Sequence, residues 1–254
     1  MNLGNPIAVG NTAKLYLCDN KIVKVFKKDL PPNQALYEAK KQEYVYSCGL
    51  HVPKIVEVTE INGRQAIMME YVKGKTVGEL LINNMEQAEH YISICVKTQQ
   101  KIHSLVVEEL ELLESMSEKL HRQIQSVHNL NKKQKDALLK RLQSFVDEPK
   151  LCHGDFHPFN LIMSKEKVDI IDWVDSSSGD IRADVYRTYL LFSQNSVKLA
   201  EMYLHIYCKN TGLSRSEIFQ WAPIIAGARL SENVSSENKK RLMEIVSQYC
   251  HESL

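Results

Sequence analysis

Between Leu151 and Met163 the chain reads LCHGDFHPFNLIM, which places two histidines, an aspartate and an asparagine within the eight positions 153–160. Residues of these types can hold a metal, move a proton or cap an ordinary turn. His153 and His157 are four apart, the spacing that aligns two imidazoles on one helix face in zinc proteases. Gly154 between them and Pro158 after them disfavour a regular helix, and no glutamate follows His153 to act as a base. A polar turn, in which Asp155 and Asn160 serve only backbone groups, is the plainer alternative.

The residues that follow suggest a third use. Leu161-Ile162-Met163 and Val168-Asp169-Ile170-Ile171-Asp172 flank the polar stretch Ser164-Lys165-Glu166-Lys167, which reads as a β-hairpin. With the turn at Ser164 to Lys167, residues whose numbers sum to about 331 face each other, so Asn160 and Asp172 meet at the open end. A carboxylate and an amide oxygen suit Mg²⁺, which takes few protein ligands and completes its shell with phosphates and water. Asp155 lies in the loop just before, near the same end, in position to act as a base. A carboxylate base beside a Mg²⁺ site is the minimum apparatus for moving a phosphoryl group onto a hydroxyl.

The elements that must position these groups change character along the chain. Leu15 to Cys18 and Lys21 to Phe26, joined by Asp19-Asn20, read as a hairpin; a helix follows over roughly Gln34 to Cys48, then strands at Ile55 to Val58 and Gln65 to Tyr71. Beyond Tyr71 helical spacing dominates. Thr76 and Glu79 form a capping-box pattern, as do Ser214 and Glu217, and Asn131 is placed to cap a helix carrying Leu138, Leu139, Leu142, Phe145 and Val146. Leu112, Leu113, Met116, Leu120, Ile124 and Val127 mark another helix, and three or four more are expected between Asp180 and Tyr249. Lys24 interrupts the apolar run Ile22 to Phe26, where a charge facing the interior needs a partner.

Composition narrows the class. The 254 residues carry 32 Lys+Arg against 31 Asp+Glu, so no overall basic surface selects nucleic acid or an anionic membrane. The six cysteines are scattered singly, without a C-x-x-C pair, and are expected as reduced thiols. The N-terminus lacks a secretory pattern, and no apolar run approaches the ~18 residues of a membrane span. A soluble, cytoplasmic protein is expected.

Cys152-His153-Gly154-Asp155-Phe156-His157-Pro158-Phe159-Asn160, followed a hairpin later by Ile170-Ile171-Asp172-Trp173, resembles the H-G-D-x-x-x-x-N and I-D-W segments of the aminoglycoside phosphotransferase and choline kinase superfamily. That resemblance implies an α+β, bilobal, protein-kinase-like fold. A small antiparallel-sheet lobe with one helix (residues 1–72) would bind nucleotide, and a larger, mainly helical lobe (73–254) would carry catalysis and the substrate. It makes Asp155 the catalytic base, Asn160 and Asp172 the Mg²⁺ ligands, and ATP or GTP the phosphate donor. His153 would be structural, and His157 matches a common family variant without an assigned role.

The same resemblance makes Lys24 the lysine that contacts the α- and β-phosphates. Its partner would be a glutamate of the following helix: helical periodicity does not choose between Glu38 and Glu43, while the distance to Val52-Pro53-Lys54 favours Glu38. The loop Gly10-Asn11-Thr12 would cover the phosphates with backbone N–H groups from Asn11 to Ala13, although it has one glycine where protein kinases have three. Glu70 and Val72 would pair with the adenine edge through their backbones. Asp180 or Asp184 would accept hydrogen bonds from the loop carrying Asp155, and His103 would be structural.

The implied activity is γ-phosphate transfer to a small-molecule hydroxyl. An aminoglycoside acceptor would require acidic groups, for which Glu232, Glu237, Glu244 and Glu252 are available near the C-terminus. A protein Ser/Thr kinase and a non-catalytic nucleotide-binding module are the alternatives. Only Val174 to Gly179 separates Trp173 from the next helix, which leaves little room for a segment that docks protein substrates.

Overall fold

A computed structural model of the chain describes residues 3–107, 113–146, 148–165, 167–232, 234 and 237–252. It forms two compact units, Met1–Asn83 with Pro158–Asp175, and Asn84–His157 with Ser176–Leu254. In chain order the first passage contains β1 (Ala8–Val9), β2 (Ala13–Cys18), β3 (Lys21–Phe26), α1 (Gln34–Ser47), β4 (Ile55–Ile61), β5 (Arg64–Glu70), β6 (Lys75–Thr76) and α2 (Val77–Asn83). The second unit then begins with α3 (Ala88–His103), α4 (Met116–Ser126), α5 (Lys132–Leu142) and β7 (Lys150–Cys152). The chain returns to the first unit for β8 (Leu161–Ser164) and β9 (Lys167–Ile170). It ends in the second with β10 (Ser177–Gly179), α6 (Ile181–Asn195), α7 (Val197–Thr211), α8 (Arg215–Phe219), α9 (Ala222–Arg229) and α10 (Lys239–Glu252).

The first unit is built on an antiparallel sheet of order β1-β2-β3-β5-β4. Its two tight turns are Asp19-Asn20, with φ of 48° and 59°, and Asn62-Gly63, with φ of 51° and 70°. Two successive positive φ values are what a two-residue turn between twisted antiparallel strands requires, and Asn, Asp and Gly tolerate them best. Alternation along β3 then divides the core. Val23 and Val25 pack on one face with Ile61 and Ala66, whereas Phe26 packs on the other with Ile67, Met69 and the small α1 residues Ala35 and Ala39. Lys24 has the parity of Phe26, so it points toward α1.

The hairpin β8–β9 packs with this strand-rich unit rather than with the helices that flank it in sequence, because β8 pairs with β6: Lys75 opposes Met163 and Thr76 opposes Ile162. Gly74 permits that approach. A Cβ added there would lie 2.5 Å from the Met163 carbonyl oxygen and 2.9 Å from a methyl of Ile162. Gly74→Ala is therefore expected to destabilise the fold by about 1–3 kcal/mol, the usual cost of overpacking against backbone, measured as a lower denaturation midpoint at unchanged m-value.

The described residues of the second unit are mainly helical, with β7 and β10 pairing antiparallel. Asn131 and Gln134 form a reciprocal capping box at α5, and Ser214 and Glu217 form another at α8. Three expectations shift. Ser115 caps α4, so that helix starts at Met116 rather than at Leu112, which lies outside the described residues. The next helix, α5, closes at Leu142, and Phe145 beyond it stacks on Trp221 with ring centroids 4.2 Å apart. Among the described residues five α-helices follow Asp180 where three or four were expected, because Gly212, with φ of 78°, and the Ser214 cap split one helical stretch into α7 and α8.

Candidate active site

Within the first unit the structure joins three of the residues singled out from sequence. The Lys24 ammonium donates to Glu38 Oε1 at 2.5 Å and to Asp172 Oδ1 at 3.1 Å. The Glu38 side chain is 2% exposed, whereas that of Asp172 is 42% exposed, so the lysine ties a buried anchor to a carboxylate that still faces solvent. Glu43 is exposed, which resolves the choice that helical periodicity left open. Burial alone would lower the Lys24 pKa, but Asp172 and Glu38 more than offset it and hold the amine firmly protonated. Three residues along α1 from Glu38, Lys41 donates to the Val174 carbonyl at 2.8 Å. One helix face thus secures both the lysine strand and the segment after Asp172.

The hairpin register is the expected one. Leu161 opposes Ile170, and the Ile171 N–H donates to the Asn160 carbonyl at 3.0 Å, which extends the ladder to the open end. Asn160 is buried at the end of a short 3-10 turn, Pro158–Asn160, and Asp172 sits just past β9 with φ of 65°. Asp is among the few residues that adopt this left-handed conformation readily. The Trp173 indole N–H donates to the Ile170 carbonyl at 3.2 Å and fixes the reversal. A carboxylate and an amide at a hairpin end fit a hard divalent cation. Asp172 offers a second oxygen beyond the one Lys24 occupies, and oxygen donors are what Mg²⁺ selects.

The remaining nucleotide-side candidates are placed as follows. The loop Gly10-Asn11-Thr12 is exposed, with the Gly10 N–H donating to the Ala13 carbonyl and the Thr12 carbonyl accepting from Lys27. Gly10 has no left-handed φ, and a Cβ there would meet the Ala13 carbonyl oxygen at 3.5 Å, an ordinary contact, so the glycine is not demanded by the backbone. Glu70 ends β5; its N–H donates to the Lys54 carbonyl and its carboxylate accepts from the Lys54 N–H. Glu70 and Val72 line a recess of about 630 Å³ together with Tyr46, His51, Lys73 and Asp169.

Asp155 lies in the second unit, in a turn that Gly154 makes possible by adopting φ of 80°. No helix spans His153 to His157, so the zinc-protease alignment of the two imidazoles does not arise. Asp184 on α6 grips the turn: its carboxylate accepts the Gly154 N–H at 2.8 Å and the His153 N–H at 3.4 Å. Gln99 and His103 also donate to it, at 3.0 and 2.9 Å, and His103 is itself held by Tyr207 at 2.7 Å. Asp180 instead caps α6 through the Arg182 N–H. The loop acceptor is therefore Asp184, and His103 is one of its supports. His103, Cys152 and Asp184 have metal-ligand types within 4.8 Å of one another. Their polar atoms already serve these hydrogen bonds, and burial keeps the Cys152 thiol protonated.

Burial by itself would raise the Asp184 pKa, but the hydrogen bond and charge of His103, with Gln99 and the Gly154 N–H, bring it down to about 2. A carboxyl depressed on folding contributes stability that is complete above its unfolded value near 4 and disappears as pH falls toward 2. Unfolding free energy should therefore drop over that window, and in Asp184→Asn the part due to this group should be absent from a denaturant series run between pH 5 and pH 2.

Asp155 is 27% exposed at its side chain, with His157 Nε2 at 3.6 Å and an Arg187 nitrogen at 3.4 Å from its two oxygens. Burial opposes ionisation, yet His157, Arg187 and His153 together hold its pKa well below the carboxylate range. Arg187 was not singled out from sequence, since its partners lie 32 and 45 residues away and no local pattern marks them. Glu232 and Glu237, available from sequence as acceptor-binding acids, are engaged internally: Arg187 and Arg229 bind Glu232, and Arg229 binds Glu237 at 2.8 Å. Glu244 is exposed beside Lys240, and the Glu252 side chain lies outside the described residues.

Known proteins resemble this chain at several levels. Acyl-CoA dehydrogenase family member 11 of Pongo abelii is 25% identical over 221 residues, covering 70% of this chain and 28% of that protein. The chain thus spans little more than a quarter of the length of that curated relative. Among solved structures, a thermostable mutant of aminoglycoside phosphotransferase APH(4)-Ia, in a ternary complex with ADP and hygromycin B, matches with a TM-score of 0.68 at 12% identity, covering 97% of this chain and 92% of that one. The amicoumacin kinase hAmiN, in complex with AMP-PNP, Ca²⁺ and Ami, matches with a TM-score of 0.64 at 14% identity, covering 98% and 86%. These likenesses establish a shared kinase-like fold. Residues 5–219, from ahead of the Gly10 loop through α8, match the model of the phosphotransferase enzyme family (APH), and the chain belongs to that family.

Proposed function

We propose that the protein transfers the γ-phosphoryl group of ATP or GTP to a hydroxyl of a small molecule. The observation that carries this reading is Lys24, buried and charged between Glu38 and Asp172. A cation fixed in this way is suited to the α- and β-phosphates, with the backbone of the Gly10-Asn11-Thr12 loop over them and the backbones of Glu70 and Val72 at the adenine edge. In this reading residues 1–72 serve the nucleotide and residues 73–254 serve catalysis and the acceptor. Asn160 and Asp172 would hold Mg²⁺, which when bound supplies charge neutralisation at the transferring phosphate.

Asp155 orients the acceptor hydroxyl and takes its proton late in the reaction. An ionised carboxylate of low basicity suits a loose transition state, in which the nucleophile needs placement more than early deprotonation. A small acceptor fits better than a protein, because Ser177–Gly179 after Trp173 is buried and paired with β7 instead of being displayed. The ligands named for related structures support a nucleotide donor. The test is an ADP-release screen with MgATP and MgGTP against aminoglycosides, amino alcohols, sugars and hydroxy acids. Acceptor-dependent ADP release with at least one class is expected; no stimulation by any class, with no nucleotide binding, would refute the proposal.

A further inference from the structure

One face of α6 grips three consecutive residues of the turn that carries Asp155. Asp184 binds the N–H groups of His153 and Gly154, and Arg187, one turn further along, reaches the Asp155 carboxylate. Resting on the reading of Asp155 as the catalytic carboxylate, we propose that Arg187 is a positioning residue that fixes Asp155, and that Glu232 and Arg229 form the buttress fixing Arg187.

Arg187 is nearly buried, and its guanidinium forks onto Glu232, Nη1 to Oε1 at 2.6 Å and Nη2 to Oε2 at 2.9 Å. The same Nη2 lies 3.4 Å from Asp155 Oδ1. Glu232 is held in turn by Arg229 at 2.5 Å and by the Gln123 amide at 3.3 Å, and Arg229 by Glu237 at 2.8 Å. A bidentate arginine–carboxylate fork defines direction as well as distance, so the plane of Arg187 is set before any substrate arrives. A chain of buried ions contributes little net stability, because desolvation opposes the attraction between its members. This one terminates on a single, partly exposed carboxylate, and that is the group whose orientation the reaction depends on.

The charged and titratable groups facing Asp155 are Arg187 from α6 and His157 and His153 from its own turn; Glu232, Arg229 and Glu237 stand behind Arg187. Removing the guanidinium takes away a charge that favours the carboxylate form. The Asp155 carboxylate then loses both a fixed direction and part of what holds it ionised.

The test uses the purified full chain with MgATP and water as acceptor, reading ADP release at neutral pH, with thermal midpoints recorded for each variant. Arg187→Gln should lower kcat about 10- to 100-fold and leave KM for MgATP within about twofold, with Arg187→Lys intermediate. Glu232→Gln should lower kcat by less at the same unchanged KM, and reads the proposal should Arg187→Gln not fold. Wild-type kcat in both Arg187→Lys and Glu232→Gln would overturn it, as would losses that only track the folded fraction. Asp155→Ala keeps the two readings apart. If it retains wild-type turnover, the assignment of Asp155 fails; if it is inactive while the Arg187 variants are normal, only the positioning role fails.

Discussion

Asp155→Ala is expected to lower kcat by about 10³-fold, within the 10²–10⁴ range for a positioned acid–base group, while the Kd for MgATP stays within about twofold. The separation follows from where the side chain acts. Asp155 is partly exposed and held between His157 and Arg187, whereas the cation proposed for the nucleotide phosphates is Lys24, anchored in the other unit by Glu38. In the proposed mechanism, removing the carboxylate takes away the acceptor's alignment and leaves the Lys24 anchor unchanged. Asp155→Asn, nearly isosteric, should be almost as inactive, because an amide cannot take the proton and presents a donor where an acceptor is needed. A thermal midpoint within a few degrees of wild type would show that the loss is chemical and not structural.

Lys24→Met should act in both ways at once. The Glu38 carboxylate, 2% exposed, would lose its hydrogen-bonded cation, and breaking a buried pair on one side typically costs about 3–5 kcal/mol. Turnover at subsaturating MgATP should fall by about 10²-fold or more, as expected when a preorganised charge at the phosphates is removed. The double variant Lys24→Met/Glu38→Leu separates the two losses. With both charges gone and an apolar side chain against Phe26 and Ala39, most of the stability should return, measured by denaturant unfolding, while kcat/KM for MgATP remains at the single-variant level. Recovery of activity together with stability would show that Lys24 is only an internal ion pair.

The parts of this protein that could be read from the chain are those governed by local rules. The hairpin between Asn160 and Asp172 was legible because side-chain alternation and turn length fix its register, and Leu161 does oppose Ile170. The tight turn at Asp19-Asn20, the capping boxes at Thr76 and Ser214, the cap at Asn131, and the change from strands to helices after Tyr71 were legible for the same reason. The antiparallel sheet followed by a mainly helical remainder is the expected α+β architecture. Lys24 announced a need for a partner by interrupting an apolar strand, yet helical periodicity could not choose between Glu38 and Glu43. The distance to Val52-Pro53-Lys54 favoured Glu38, and in the fold Glu38 is buried on α1 against Lys24 while Glu43 is exposed.

What local rules missed is held together across long stretches of chain. Arg187 meets Glu232 across 45 residues, and Gln99 and His103 meet Asp184 across more than 80. Nothing within one helix turn predicts such pairs. Glu232 and Glu237 show the consequence: from sequence they resemble free acids suited to a cationic acceptor, and in the fold they neutralise Arg187 and Arg229. That neutralisation weakens the specific case for an aminoglycoside acceptor and leaves the broader phosphotransferase reading intact, since that reading rests on Lys24, Glu38 and Asp172.

The central claim is tested most directly by following the γ-phosphoryl group itself. Purified protein is incubated with γ-labelled ATP, Mg²⁺ and an acceptor that stimulates ADP release, and the label is partitioned among acceptor, inorganic phosphate and protein. The account predicts label in the acceptor in a one-to-one ratio with the acceptor-dependent ADP, abolished in Asp155→Ala. Label appearing only as inorganic phosphate or on the protein, or transfer undiminished in Asp155→Ala, would contradict it.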